Sequence, residues 1–464
     1  MDRPLMTFAH LVEQFRAAPV ARKLSKQRSK EPPYPSFLGP ALALLLLLSG
    51  CTRSPDPGAQ EVPPGLHAPP GVFADINPRW SHDGREIAFL RATPDRYLQL
   101  YVADAALTRP LPQLEAELVS PDRPYNPSLR RYVSPDTLAW SPDDRQIAFA
   151  RMEWFTFDNG EHLSGTGLWA LDRRLGRVTP LALHPRRYRS AFYFYHTPQW
   201  SPDGRYLAFV GEGINGQRVL FIHPLTGQRA QEVTPHFDNY EDSDWPAWEP
   251  GAPTVSRAEA PALLYRQGVQ RTPAVPPTET LRLIRPGSIG GGTGEVWRIT
   301  AGQYARLLPP SRYAGQPVAP RAGHPAWSPD GRYLAFTLTP DANDFTRYEL
   351  WVMRRDGTGA RRVSPEDGRG YFAPVWIDGG RLGALSPRGR RFAVVTVDIT
   401  SRTACSLGTI DSADCDWSPD RSRIVYAGPA SSAATPAPGP TTLRLFETGL
   451  RSDFAVQPLL VVHP

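Results

Sequence analysis

Apolar and polar positions alternate in short blocks along most of the chain, and the blocks follow one repeated order. A tryptophan is followed by a polar phrase and then by a three-residue apolar run. The phrase reads Trp80-Ser81-His82-Asp83-Gly84, Trp140-Ser141-Pro142-Asp143-Asp144, Trp200-Ser201-Pro202-Asp203-Gly204, Trp327-Ser328-Pro329-Asp330-Gly331 and Trp417-Ser418-Pro419-Asp420-Arg421. The apolar runs are Ile87-Ala88-Phe89, Ile147-Ala148-Phe149, Leu207-Ala208-Phe209, Leu334-Ala335-Phe336 and Ile424-Val425-Tyr426. This pattern predicts strand, tight turn, strand. Proline presets φ, aspartate bonds the backbone two residues on, and glycine supplies positive φ, so Ser-Pro-Asp-Gly is chemically suited to the turn.

A second hairpin follows in most units, at Leu100-Tyr101-Val102, Leu168-Trp169-Ala170, Val219-Leu220-Phe221 and Leu350-Trp351-Val352, so each unit supplies four strands. Weaker copies begin at Trp248-Glu249-Pro250-Gly251 and at Trp376-Ile377-Asp378-Gly379, the latter with an alternative register at Leu385-Ser386-Pro387-Arg388-Gly389. The tryptophan intervals from 80 to 417 are 60, 60, 48, 79, 49 and 41 residues. They mark seven units, with six possible if one weak copy is absorbed by a neighbour. A four-stranded sheet with aliphatic residues on both faces must bury both, which radial repetition into a closed ring achieves. The expected fold class is all-β, a ring of four-stranded blades spanning residues 73–464.

These residues resemble the TolB-like and WD-repeat β-propellers, whose blade phrase is Pro-x-Trp-Ser-Pro-Asp-Gly-x-x-Ile-Ala-Phe. The resemblance implies binding of a protein or peptide at the ring face around the central channel. TolB itself carries an extra N-terminal domain, for which Cys51 to Phe73 leaves no room. Similar propellers precede α/β-hydrolase domains in the prolyl-oligopeptidase family. That reading needs Gly-x-Ser-x-Gly on a strand-to-helix elbow. The nearest segment, Pro286-Gly287-Ser288-Ile289-Gly290, lacks the first glycine and lies among strands. With so few residues after the last blade mark, no hydrolase domain is expected.

Charge and composition alter the picture mainly at the N-terminus. Of 464 residues, 52 are Pro and 38 Gly, a turn-rich chain whose 41% hydrophobic content still suffices for a core. Residues 1–50 hold seven Lys/Arg against three Asp/Glu, and the remainder is nearly balanced at 45 against 43. A near-neutral body argues against a nucleic-acid partner. All three lysines lie before residue 51, which removes Schiff-base and P-loop lysine chemistry. The apolar run at residues 37–48 is too short to span a bilayer and follows a basic stretch, as in a signal peptide. It ends in Leu48-Ser49-Gly50-Cys51, which resembles the bacterial lipobox. The expectation is a signal segment over 1–50, lipidation at Cys51, a Pro/Gly-rich tether over 51–72, and a monomer held at the cell envelope outside the cytoplasm. Cys405 and Cys415, the other two cysteines, then form an even pair in an oxidising compartment, and a disulfide is expected.

Candidate chemistry concentrates where the chain enters each blade. Those entries carry Asp75 and Asn77, Asp136, Tyr195 and His196, Asp242 and Asp244, His324, Tyr371, then Asp411 and Asp414, and in a propeller they converge on one mouth of the channel. A fixed scaffold with a varied polar and aromatic rim suits a binding face. Asp238, Asp242 and Asp244 offer alternate oxygen ligands that suit calcium, but without the glycine and distal glutamate of an EF-hand loop. No cofactor or metal is expected, zinc least of all given unpaired histidines. The residues favour a non-catalytic adaptor for a protein or peptide of the cell envelope. The alternatives are a propeller enzyme acting on a small substrate at the channel mouth, and a cell-wall or carbohydrate binder using Tyr193, Phe194 and Tyr195.

Overall fold

The computed structural model describes residues 74–92, 98–108, 110–112, 133–156, 162–182, 192–213, 218–225, 231–233, 240–250, 260–270, 278–286, 295–298, 303, 307, 321–339, 345–429 and 441–450. Residues 1–73, with Cys51 and the tether, and Asp238 lie outside them.

Seven antiparallel units follow one another, as the tryptophan count predicts. Blade 1 comprises Ala74–Trp80, Glu86–Ala92, Leu98–Asp104 and Leu111–Pro112, paired in chain order from the channel outward. Blades 2, 3 and 4 start with the inner strands Val133–Trp140, Phe192–Trp200 and Tyr240–Trp248. Blade 5 comprises Arg321–Trp327, Tyr333–Thr339, Glu349–Arg354 and Arg361–Arg362. Blade 6 comprises Phe372–Trp376, Arg381–Arg388, Arg391–Asp398 and Ala404–Ile410. Blade 7 shows three strands among the described residues, Cys415–Trp417, Arg423–Pro429 and Thr441–Glu447. In blade 6 Trp376 ends the inner strand, and Ser386-Pro387 lies inside the second strand, so the alternative register is not used.

The ring is closed by packing rather than by a shared strand. Period-2 alternation gives each blade two apolar faces, and each face enters a different interface. Ala88 and Leu90 pack with Leu138, Trp140 and Phe149 of blade 2, whereas Ile87 and Phe89 pack with Val425, Leu443 and Leu445 of blade 7. Equivalent clusters fill each of the other five interfaces. The third strands of blades 2 and 3 also touch the next inner strand in parallel, Thr166 opposite Phe194 and Arg218 opposite Asp242. No helix among the described residues is long and apolar enough to cross a membrane.

The turn phrase has one hydrogen-bond design in all five full copies. Ser328 Oγ donates to Asp330 Oδ1 at 2.6 Å and accepts the Tyr333 N–H at 2.9 Å, while the Arg332 N–H donates to Asp330 Oδ1 at 3.0 Å. Gly84, Gly204 and Gly331 hold φ of 71°, 69° and 68°, and where glycine is missing Asp144 and Arg421 hold 56° and 65°. These turns share one face of the ring. Inner-strand starts, second-strand ends and third-strand starts share the other.

Candidate functional site

Most inner strands bend just before the tryptophan. The register slips between Ile76 and Arg79, between His196 and Gln199, between Gly323 and Ala326, and between Phe372 and Val375. At these bulges Asn77, Thr197, His324 and Ala373 hold φ of 52°, 48°, 46° and 50°, a left-handed conformation uncommon for residues other than glycine. The bulges lie part-way along the inner strands, among the residues expected at the rim.

One group of charged residues there belongs to blade 3. Glu212, at the end of the second strand, is buried, with Arg218 Nε at 3.4 Å and His196 Nε2 at 3.6 Å from its Oε2. The pleat explains the meeting, because Glu212 pairs with Arg218 on the third strand and His196 pairs with the nearby Val210. Across the channel, Asp411 takes Arg391 Nε at 2.9 Å and has Arg444 Nη1 at 4.0 Å. His324 contacts Thr337 Oγ1 through Nδ1 at 3.1 Å and lies edge-on to Tyr348.

Several expected rim residues are structural instead. Asp75 is fully buried and forms a two-point ion pair with Arg91, at 2.7 and 2.9 Å, beneath the ring of Tyr101. Burial pushes its carboxyl above the usual range, against the pull of Arg91. Tyr195 is a core side chain packed edge-on to Phe209 and Phe221, so it is neither a rim residue nor a sugar platform. Tyr371 is buried and donates its hydroxyl to Asp367 at 2.6 Å; burial and that carboxylate both raise its pKa. Asp414 and Asp416 tie blade 7 to blade 1, accepting the N–H groups of Asn77 and Trp80 at 2.8 Å each. Asp136, Asp242 and Asp244 sit on inner strands, and their side chains lie outside the described residues, as do those of Tyr193 and Phe194.

The expected disulfide is not formed, and Cys405 and Cys415 are both free. Cys405 pairs with Thr396 near the start of the outermost strand of blade 6, while Cys415 opens the innermost strand of blade 7. Five further strand residues, at roughly 3.3 Å each, carry the chain away from Cys405 before it turns inward. Burial, with Asp416 and Asp414 nearby, pushes the Cys415 thiol up.

Arg91, Glu212, Arg218, Arg391 and Arg444 were not anticipated. One signal was available: Arg91 and Glu212 each follow an apolar run, Ala88-Phe89-Leu90 and Ala208-Phe209-Val210, as a charged residue placed in strand register.

No protein-family model matches the chain. A stretch of 227 residues, 46% of the chain, is 26% identical to the uncharacterized peptidase YuxL of Bacillus subtilis (strain 168). That stretch spans 31% of the relative's length. Among solved structures, a puromycin-hydrolyzing peptidase of Mycobacterium tuberculosis is 14% identical with a TM-score of 0.52, covering 83% of this chain and 55% of that one. The fold is a β-propeller. TolB from Acinetobacter baumannii is 14% identical over 74% of this chain and 64% of its own, with a TM-score of 0.36. The expectation of a non-catalytic adaptor is corrected by this similarity to a peptidase, which favours the enzyme alternative.

Proposed function

We propose that the chain is a propeller peptidase that hydrolyses short peptides taken in at the channel mouth. The 227-residue similarity to a peptidase carries this reading. The mouth supports it chemically. A carboxylate, an imidazole and a guanidinium gather around Glu212 just beneath the surface of blade 3, groups that bond to amide N–H and carbonyl oxygen alike. Interlocked apolar interfaces keep the ring rigid, which favours short or unfolded chains over folded proteins. The test is hydrolysis, because a binder leaves the peptide intact. The full chain should release p-nitroaniline from blocked di- to tetrapeptide p-nitroanilides, and Glu212→Gln should lower kcat/KM at least tenfold. Intact peptides throughout such a panel would overturn the proposal.

Leu48-Ser49-Gly50-Cys51 at the end of an apolar run supports a second element of the reading, a lipid anchor at Cys51 that places the enzyme outside the cytoplasm. Metabolic labelling with a fatty acid should be lost in Cys51→Ala. Labelling that persists would refute the anchor.

A further inference from the structure

The degenerate sixth copy of the turn phrase leaves a space that the other features of the seam do not fill. Trp376-Ile377-Asp378-Gly379 lacks the Ser-Pro-Asp sequence, and a Cβ placed on Gly379 would meet nothing within 4 Å. A cavity of about 250 Å³ lies there, between blades 5 and 6 and away from the channel mouth. Its blade 5 wall follows from strand register. Tyr333 pairs with Arg354 and Val352 with Arg361, so these four side chains share the face turned to blade 6. Deeper on that face Val352 packs in the interface with blade 6, whose Ile399 also lines the cavity. At the margin the aliphatic surface gives way to two guanidinium groups and an exposed tyrosine ring.

Both arginines are held in place without a carboxylate in direct contact, although the charge of Arg354 acts on the nearby Asp356 carboxylate. Arg361 Nη1 donates to the Ile399 carbonyl at 2.5 Å. Arg354 lies across Gly359, whose φ of +66° and missing side chain make room; a Cβ there would sit 3.1 Å from Arg354 Nη1. The same turn fixes the strand end, since the Arg354 N–H donates to the Thr358 carbonyl at 2.9 Å. Asp356 directs its carboxylate at the N–H and hydroxyl of Thr358 instead. Their sequence neighbours are paired: Arg355 with Glu249, and Arg362 with Glu349 and Glu366. No described acid lies within ion-pairing distance of Arg354 or Arg361. Two guanidinium groups beside an aromatic ring and an aliphatic floor fit a planar oxyanion carried on an apolar body.

The geometry points to a binding site at this seam for a carboxylate on an apolar body, the chemistry of the free C-terminus of a hydrophobic peptide. The site stands apart from the channel mouth and does not depend on the peptidase reading. Calorimetric titration of the full chain with N-acetyl-leucyl-leucine, its C-terminal amide and inorganic phosphate tests it. The free acid should bind at least tenfold more tightly than the amide. Arg354→Gln, Arg361→Gln and the space-filling Gly379→Leu should each weaken the acid at least tenfold while keeping the thermal midpoint of the parent. Glu212→Gln should bind the acid as the parent does. Equal binding of acid and amide, undiminished binding by well-folded Arg354→Gln and Arg361→Gln, or loss confined to Glu212→Gln would overturn the assignment. Inorganic phosphate displacing the peptide at comparable affinity would also overturn it, marking a phosphate site.

Discussion

Trp140 donates its indole Nε1–H to the carbonyl oxygen of Arg79 at 3.0 Å, and Arg79 directly precedes Trp80, the matching tryptophan of the blade before. The same step recurs from Trp200 to Ala139, Trp248 to Gln199, Trp327 to Ala247 and Trp376 to Ala326, at 2.9 to 3.2 Å. One residue type thus closes a core cluster and latches neighbouring blades. At the junction of blades 7 and 1 the latch differs, because Trp80 Nε1 is buried without a hydrogen-bond partner among the described residues.

This difference makes a paired prediction. Trp140→Phe removes a buried inter-blade bond and some volume, and should cost about 2 to 4 kcal/mol. Trp80→Phe removes a donor that is unsatisfied already, so its cost should be smaller by about 1 kcal/mol or more. Urea unfolding of the two variants, followed by circular dichroism, compares them directly. Equal losses would show that the latch adds nothing to packing.

The blades were legible because their cause is local and repeated: Ser328, Asp330 and Gly331 make a turn by themselves, and five copies expose the pattern. Blade entry was legible as a location for the same reason. The chemistry at the mouth was not, because Glu212 acquires its meaning only when Arg218 and His196, on two other strands, are brought beside it. Tyr195 misled because an aromatic at a blade entry reads alike whether it faces solvent or the Phe209 and Phe221 rings. Cys405 and Cys415 misled because nearness in sequence spans the full radius of the ring, from outermost strand to innermost.

Asp144 stands where three of the other copies have glycine, and its carboxylate reaches back to the previous turn. It accepts the His82 and Asp83 N–H groups at 2.8 Å each and lies 2.9 Å from His82 Nδ1. Asp144→Gly relieves the left-handed backbone, a gain of about 0.5 to 1 kcal/mol, but leaves those donors without their charged acceptor, a loss of about 1.5 to 3 kcal/mol. A net destabilisation is expected at pH 7. Burial works against the Asp144 charge, yet the bonds from His82 and Asp83 hold its pKa below the usual value. A depressed carboxylate contributes stability above its unfolded pKa and loses it as pH falls through the folded one. The gap between parent and variant, measured by urea unfolding, should therefore narrow only below about pH 4.

The two free thiols differ in access. Cys405 is exposed and Cys415 half-buried with its thiol pKa raised by burial. Iodoacetamide on the native, unreduced protein should modify the Cys405 peptide rapidly and the Cys415 peptide only on unfolding. Peptide mapping that recovers the two cysteines joined would restore the disulfide.

Acid should act in the opposite sense at the ring closure. Asp414 and Asp416 accept N–H bonds from blade 1, and burial raises the pKa of both, opposed by the charge of Arg79. A carboxylate with a raised folded-state pKa contributes most below its unfolded value, and that contribution is lost as pH rises through the folded one. Above that pH the ring closes around charged groups that would be more stable neutral. Asp414→Asn keeps an acceptor for the Asn77 N–H without the charge. The variant should therefore match or exceed the parent in thermal midpoint at pH 8, with its advantage shrinking as pH falls toward the ordinary carboxylate pKa of about 4. Calorimetric scans from pH 4 to 8 decide the sign. An Asp414→Asn variant that is less stable than the parent at pH 8, and recovers on acidification, would mean that the Arg79 charge outweighs burial at this junction.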